Sequence, residues 1–263
     1  MTARRESGYS LVEMLVVLGV VAMIATATFS VYETSQRVYL HAMAAEDAQL
    51  RARAGLALMA ADLRLVGSYW SGAGASSPAI LTATDTGVTF MADVESRTVQ
   101  NGVEMTTSAA ARSGARAVSV NAPPSRVADA LRTYTASSLN DFLYIANGNR
   151  HEVHQIVSID GATVMLGTPL RGSYPSGSLV RSVERVTYAF NPAARSLTRA
   201  VGGSGAQTVI NDVSALALSY FDGRHPAALT SDPARIREIL LSFTTHADDG
   251  TPRTMTSRVR VRN

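Results

Sequence analysis

The sequence predicts an α+β fold, a long N-terminal α-helix packed on an antiparallel β-sheet, and three observations predict it. From Met14 to Val31 no residue is charged, and Leu, Val, Met, Ile and Ala dominate. From Val31 to Val66 there is no proline and one glycine, Gly55, in a stretch rich in alanine, leucine and arginine. From Phe142 to the end, short runs rich in β-branched and aromatic residues alternate with turn residues.

The totals bound what such a chain can do. With 263 residues and 46% apolar composition it can bury one good core or two small ones. Its 24 basic and 21 acidic residues leave a net charge of +3, and every basic residue is arginine. The pI of about 9.4 follows from that choice and carries no nucleic-acid conclusion by itself. Without lysine, a Walker-type phosphate loop and a Schiff base are excluded. Without cysteine, so are disulfides, thiolate nucleophiles and cysteine-held zinc or iron–sulfur centres.

The apolar run is long enough to cross or nearly cross a bilayer as a helix. Arg4 and Arg5 precede it and favour a cytoplasmic N-terminus. At its start stands Glu13, a carboxylate that costs roughly 2.5–3.5 kcal/mol inside a membrane and therefore asks for a cation. A cleaved secretory signal is one reading, with Ala25-Thr26-Ala27 as the cleavage site. Against it, a glutamate at the head of the apolar region is unusual, and the helical pattern runs on past the cut. A simple signal anchor and a buried soluble helix are the other bland readings, the last weakened by flanking charges that suit a membrane.

A more specific reading comes from the stretch "RRESGYSLVEMLVVLGV" at residues 4–20. It resembles the leader of type IV prepilins and type II secretion pseudopilins: a short basic leader, Gly8 before the cut, the aromatic Tyr9 after it, and a glutamate, Glu13, at the fifth mature position. Tyr9 stands where phenylalanine is more usual. The resemblance implies that prepilin peptidase cleaves between Gly8 and Tyr9 and methylates the new amine. It also implies that Glu13 pairs with that amine on a neighbouring subunit, so that the charge is neutralised on joining a filament. "MAADLRLVGSYW", "VERVTYAF", "SLTRAV", "VSALALSYFDG" and "SRVRVRN" are similar, more loosely, to W-type minor pilins and more distantly to J-type minor pseudopilins.

The implied organisation is a leader at 1–8, a helix at 9–66 that is transmembrane at about 9–32, and a β-rich periplasmic domain at 67–263 with a variable region at about 93–140. The implied function is a minor pilin of a type IV pilus that helps initiate or cap the filament and could present an adhesin. A minor pseudopilin of type II secretion and a DNA-uptake pilin are the alternatives. Implied partners are other minor pilins, the major pilin, prepilin peptidase, the inner membrane and a tip adhesin; nucleic acid is disfavoured. The implied location is the inner membrane and then the pilus.

Within the helix, Glu33 with Arg37 and Asp47 with Arg51 are acid-first i,i+4 pairs. Tyr32, Tyr39, Met43, Leu50, Leu58 and Leu65 recur at roughly helical intervals and predict one packed face. Gly67 predicts the helix stop. "GSYWSGAGASSP" (67–78) reads as a connection and "ILTATDTGVTFMADV" as short strands. The structure of 95–140 is left open, apart from a candidate helix in "RVADALRTYTASSL". From Phe142 a meander follows, with turns at Asn147-Gly148, Asp160-Gly161, Asn191-Pro192 and Asp248-Asp249-Gly250.

No catalytic or cofactor motif is present. His151-Glu152-Val153-His154 has the wrong spacing for a zincin, and on a strand its two histidines point to opposite faces. Asp248 and Asp249 lack the other ligands of a calcium loop. Arg258, Arg260 and Arg262 alternate with Val259 and Val261, which predicts a solvated arginine stripe, with an acidic subunit or DNA phosphate as the functional alternatives. Tyr69 and Trp70 read as a cover for the core edge or as a subunit contact.

Overall fold

The structure is a computed structural model that describes residues 10–69, 79–94, 104–131, 142–202, 204–224, 228–246 and 252–262. The chain divides into two units, Met1–Gln49 and Leu50–Asn263.

The described part of the first unit is helical. It belongs to α1 (Leu11–Arg64), whose segment Leu11–Met43 is long and apolar enough to cross a membrane. Four hydroxyls in this stretch are satisfied within the helix: Thr26, Thr28 and Thr34 donate to the carbonyls four residues back at 2.8 Å, and Ser30 donates to Ala27 at 2.9 Å. In hydrocarbon that arrangement leaves none of these four hydroxyl hydrogens unpaired. Arg37 meets Glu33 at 3.6 Å, as the i,i+4 spacing predicts. Tyr32, Tyr39 and Met43 are exposed in this unit and take no part in a packed face.

In the second unit the last turns of α1 enter the core, but through a different face from the one the large apolar residues suggest. Leu50 is 55% exposed and Leu58 40%, and Leu65 is half-buried, whereas Ala52, Gly55, Met59, Ala60, Asp62 and Leu63 are buried. The seam is narrow because it is lined with small residues. A Cβ on Gly55 would stand 2.1 Å from Cδ1 of Ile210, so glycine is what lets the helix approach that side chain. The helix stops at Arg64, and Gly67 beyond it takes a φ of +66° where a Cβ would strike the Arg262 carbonyl.

The elements that follow are β1 (Ile80–Thr84), β2 (Gly87–Ala92), β3 (Met105–Thr106), β4 (Ala117–Ser119), α2 (Pro124–Leu131), β5 (Phe142–Asn147), β6 (Arg150–Asp160), β7 (Thr163–Leu166), β8 (Leu179–Asn191), β9 (Ser196–Val201), β10 (Gln207–Ile210), β11 (Ala215–Asp222), β12 (Ile236–His246) and β13 (Pro252–Arg260). One turn of 3-10 helix, Pro233–Arg235, precedes β12.

The expected single sheet is two, and strands before Phe142 contribute to one of them. The larger runs β1-β2-β8-β5-β6-β7-β4, with β3 and β9 also on β8 and β10 on β9; the smaller is β11-β12-β13. All pairings among the described strands are antiparallel. The long strand β8 is the spine because it is long enough to pair with β2 and β9 at one end and with β5 and β3 at the other.

Two hairpin loops fall one residue later than the sequence suggests: Gly148-Asn149 between β5 and β6, and Gly161-Ala162 between β6 and β7. Each puts its glycine first in the loop, with φ of +57° and +58°, the place where a two-residue turn matching the strand twist needs it. Between β8 and β9 the Asn191 side chain caps the turn by accepting from the Ala193 and Ala194 amides. Within 95–140, α2 accounts for the first part of the candidate helix, opened by Pro124 where its missing N–H costs nothing. Residues 132–139 lie outside the described residues, as does the Asp248-Asp249-Gly250 turn.

Three apolar clusters hold the unit together. The first joins Met59, Ala60, Leu63 and Val66 to Phe90, Tyr188 and Ile210 and to Leu218, Leu241 and Phe243 of the smaller sheet. The second gathers Val127 and Leu131 of α2 over Leu143, Ile145, Ile156 and Val164. The third sets Tyr69 edge-on to Tyr144, with ring centroids 5.2 Å apart.

Candidate functional site

Glu13 sits in the first turn of α1, where Met14 N–H donates to the Ser10 carbonyl at 3.2 Å. A carboxylate there is favoured by the positive end of the helix dipole. Its neighbours Leu11, Val12 and Met14 are 78%, 68% and 59% exposed, so the charge lies in a sleeve of uncovered apolar side chains. Such a sleeve is stable against lipid or against another helix, and not against water. Arg4, Arg5, Gly8 and Tyr9 lie outside the described residues, so Glu13 is the one member of the predicted set whose position is seen.

Several of the other residues singled out by sequence have structural partners. Val259 and Val261 are buried while Arg258, Arg260 and Arg262 face outward, as the alternation predicts. Glu238 meets two of those arginines, Arg258 at 3.2 Å and Arg260 at 4.0 Å, and Arg258 also covers the Phe221 ring. Tyr69 is a core residue, and Trp70 lies outside the described residues. His151 lies against the Tyr144 ring at 5.9 Å, whereas His154 bonds to Thr168 and Glu152, each at 2.8 Å, so the two histidines do not converge. Among the described residues no group of three or more His, Asp or Glu could hold a metal ion.

Two buried carboxylates escape sequence reasoning. Glu152 accepts from the amides of Arg171 (2.7 Å) and Gly172 (2.6 Å), from the Tyr174 hydroxyl (3.1 Å) and from His154 Nε2. Burial pushes this carboxyl up, but the four donors outweigh it and hold the group below its ordinary 4.5. Burial and the adjacent Glu152 raise the Tyr174 hydroxyl. Asp62, on the buried face of α1, accepts from the Tyr188 hydroxyl at 2.8 Å and from Arg199 Nε at 2.7 Å. Burial and then the Asp62 charge push Tyr188 up, so neither tyrosine exchanges a proton near neutrality. Both carboxylates tie elements together: Glu152 joins β6 to the loop before β8, and Asp62 joins α1 to β8 and β9.

Residues 3–29 match the prokaryotic N-terminal methylation motif. The N-terminus is that of a type IV prepilin-like protein. No curated protein and no solved structure is significantly similar to the chain. Such a motif implies processing by prepilin peptidase and assembly with other pilins. The apolar helix near the N-terminus fits membrane anchoring of such a prepilin.

Proposed function

We propose that the chain is a minor pilin of a type IV pilus, a non-enzymatic subunit that joins other minor pilins to initiate or cap the filament. In this reading residues 1–8 are the leader, 9–66 the helix and 67–263 the periplasmic domain. Arg4 and Arg5 hold the leader in the cytoplasm, prepilin peptidase cuts between Gly8 and Tyr9, and the new amine is methylated. Glu13 then pairs with the Tyr9 amine of a neighbouring subunit.

The observation that carries this is the methylation motif at 3–29 at the head of an uncovered apolar helix. An exposed apolar segment with one carboxylate is costly alone and is relieved by packing against like helices. That the stripe arginines Arg258 and Arg260 are met by Glu238 weighs against DNA uptake. A minor pseudopilin shares all these supports, so the gene neighbourhood, with pilus genes or secretin and exoprotein genes, separates the two.

Glu13→Gln tests the assembly contact. It keeps hydrogen-bonding capacity and removes the charge, so insertion and cleavage should persist while the amount in sheared pili falls. Wild-type amounts of the variant in sheared pili, with normal piliation, overturn the pairing.

A further inference from the structure

A wide, open cleft of about 480 Å3 lies over β6, lined by Ser113, Arg150, His151, Glu152, Arg171, Gly172 and Ser173. Its walls are fixed by backbone pairing. Ala111 and Tyr174 exchange both amide hydrogen bonds at 2.8 Å, Ser113 Oγ donates to the Arg171 carbonyl at 2.9 Å, and the Ser113 amide donates to Ser173 Oγ at 3.1 Å. Arg150 Nη1 donates to the Ser173 carbonyl at 3.3 Å. Gly172 makes room for that arginine, since a Cβ there would stand 2.8 Å from Arg150 Cδ. That hydrogen bond and the close approach over Gly172 place Arg150 at the wall of the cleft.

The charge balance of the cleft is positive. Two arginines and one glutamate line it, and Glu152 has already spent both oxygens on four donors, two to each oxygen. Among the described residues no carboxylate forms an ion pair with Arg150 or Arg171. The groups left over are donors: the remaining guanidinium N–H groups and the Ser173 hydroxyl, whose oxygen accepts from Ser113. A carboxylate suits the arginine pair, and hydroxyl oxygens of a small ring can accept from the guanidinium N–H groups it leaves and from the Ser173 hydroxyl. The volume admits a ligand of sugar size.

We propose that this cleft binds an acidic monosaccharide, with its carboxylate between Arg150 and Arg171. The proposal does not rest on the filament reading; it stands on the cleft alone.

The test is calorimetry on the full chain in non-ionic detergent, with glucuronate, glucose and acetate as probes. Glucuronate should bind saturably, and glucose and acetate each at least tenfold more weakly. Arg171→Gln, at an exposed side chain, should weaken glucuronate at least tenfold without moving the melting temperature, and Arg150→Gln should do the same to binding. Methyl glucuronide, measured alongside, tells a glycan terminus from the free sugar: equal binding assigns the former, and binding of the free acid alone assigns the latter. Equal binding of glucose and glucuronate, equal binding of acetate and glucuronate, or full binding by the Arg171→Gln variant overturns the proposal.

Discussion

Gly55→Ala should destabilise the globular unit, against the usual expectation for a helix interior. Replacing glycine by alanine in a helix gains about 1 kcal/mol of propensity. At Gly55 the new Cβ would lie 2.1 Å from Cδ1 and 2.2 Å from Cγ1 of Ile210, which is itself 2% exposed. Ordinary carbon contacts are about 3.5–4.0 Å, so Ile210 must retreat by more than an ångström into a filled core. Overpacking of that kind costs about 1–3 kcal/mol, and with two atoms of one side chain in the way the upper end applies. The net loss is then about 2 kcal/mol, a fall in melting temperature of about 4–8 °C for a unit of this size. Ile210→Ala removes both obstructing atoms. In that background Gly55→Ala should become stabilising by about 1 kcal/mol, a reversal of sign read by thermal melts of the four proteins. If Gly55→Ala stabilises the otherwise unaltered chain, the close approach of α1 to Ile210 is not real.

Asp62→Ala should cost about 3–5 kcal/mol, because Arg199 and the Tyr188 hydroxyl lose their shared buried acceptor; chemical denaturation reads it, and a loss under 1 kcal/mol would show that the tie is dispensable. Glu152 should make the unit acid-labile. Its folded pKa is depressed, so its contribution is fully present above the unfolded value of 4.5 and is lost as pH falls through the folded value. Glu152→Gln should flatten the stability-versus-pH curve below about 4.5, and an unchanged acid slope would contradict the assignment.

How legible this molecule was depended on whether a feature is local. Alternation in "ALALSYFD" reports the buried face of β11 directly, and the glycines at 148 and 161 mark hairpins to within a residue. The buried face of α1 is not the one that residue size predicts. Leu50 and Leu58 are larger than Ala52 and Gly55, yet a helix pressed against β10 has room only for the small pair. The division into two sheets was not legible, since the pattern of a strand tells which face it buries and not which neighbour it pairs with. Nor was the Glu152 clamp, whose donors are backbone amides 19 and 20 residues further on and carry no signature in side-chain type. Glu13 stands out in the sequence because a lone carboxylate at the head of an apolar run is anomalous by composition alone.

Processing of the N-terminus is decisive, and intact-mass and peptide mass spectrometry of the chain from its native membrane tests it. The account predicts a mature chain that starts at Tyr9 with a singly methylated amine, the residues through Gly8 having been removed. A chain that starts near Thr28, after the Ala25-Thr26-Ala27 site of an ordinary secretory signal, would contradict it, because Glu13 would be removed with the signal.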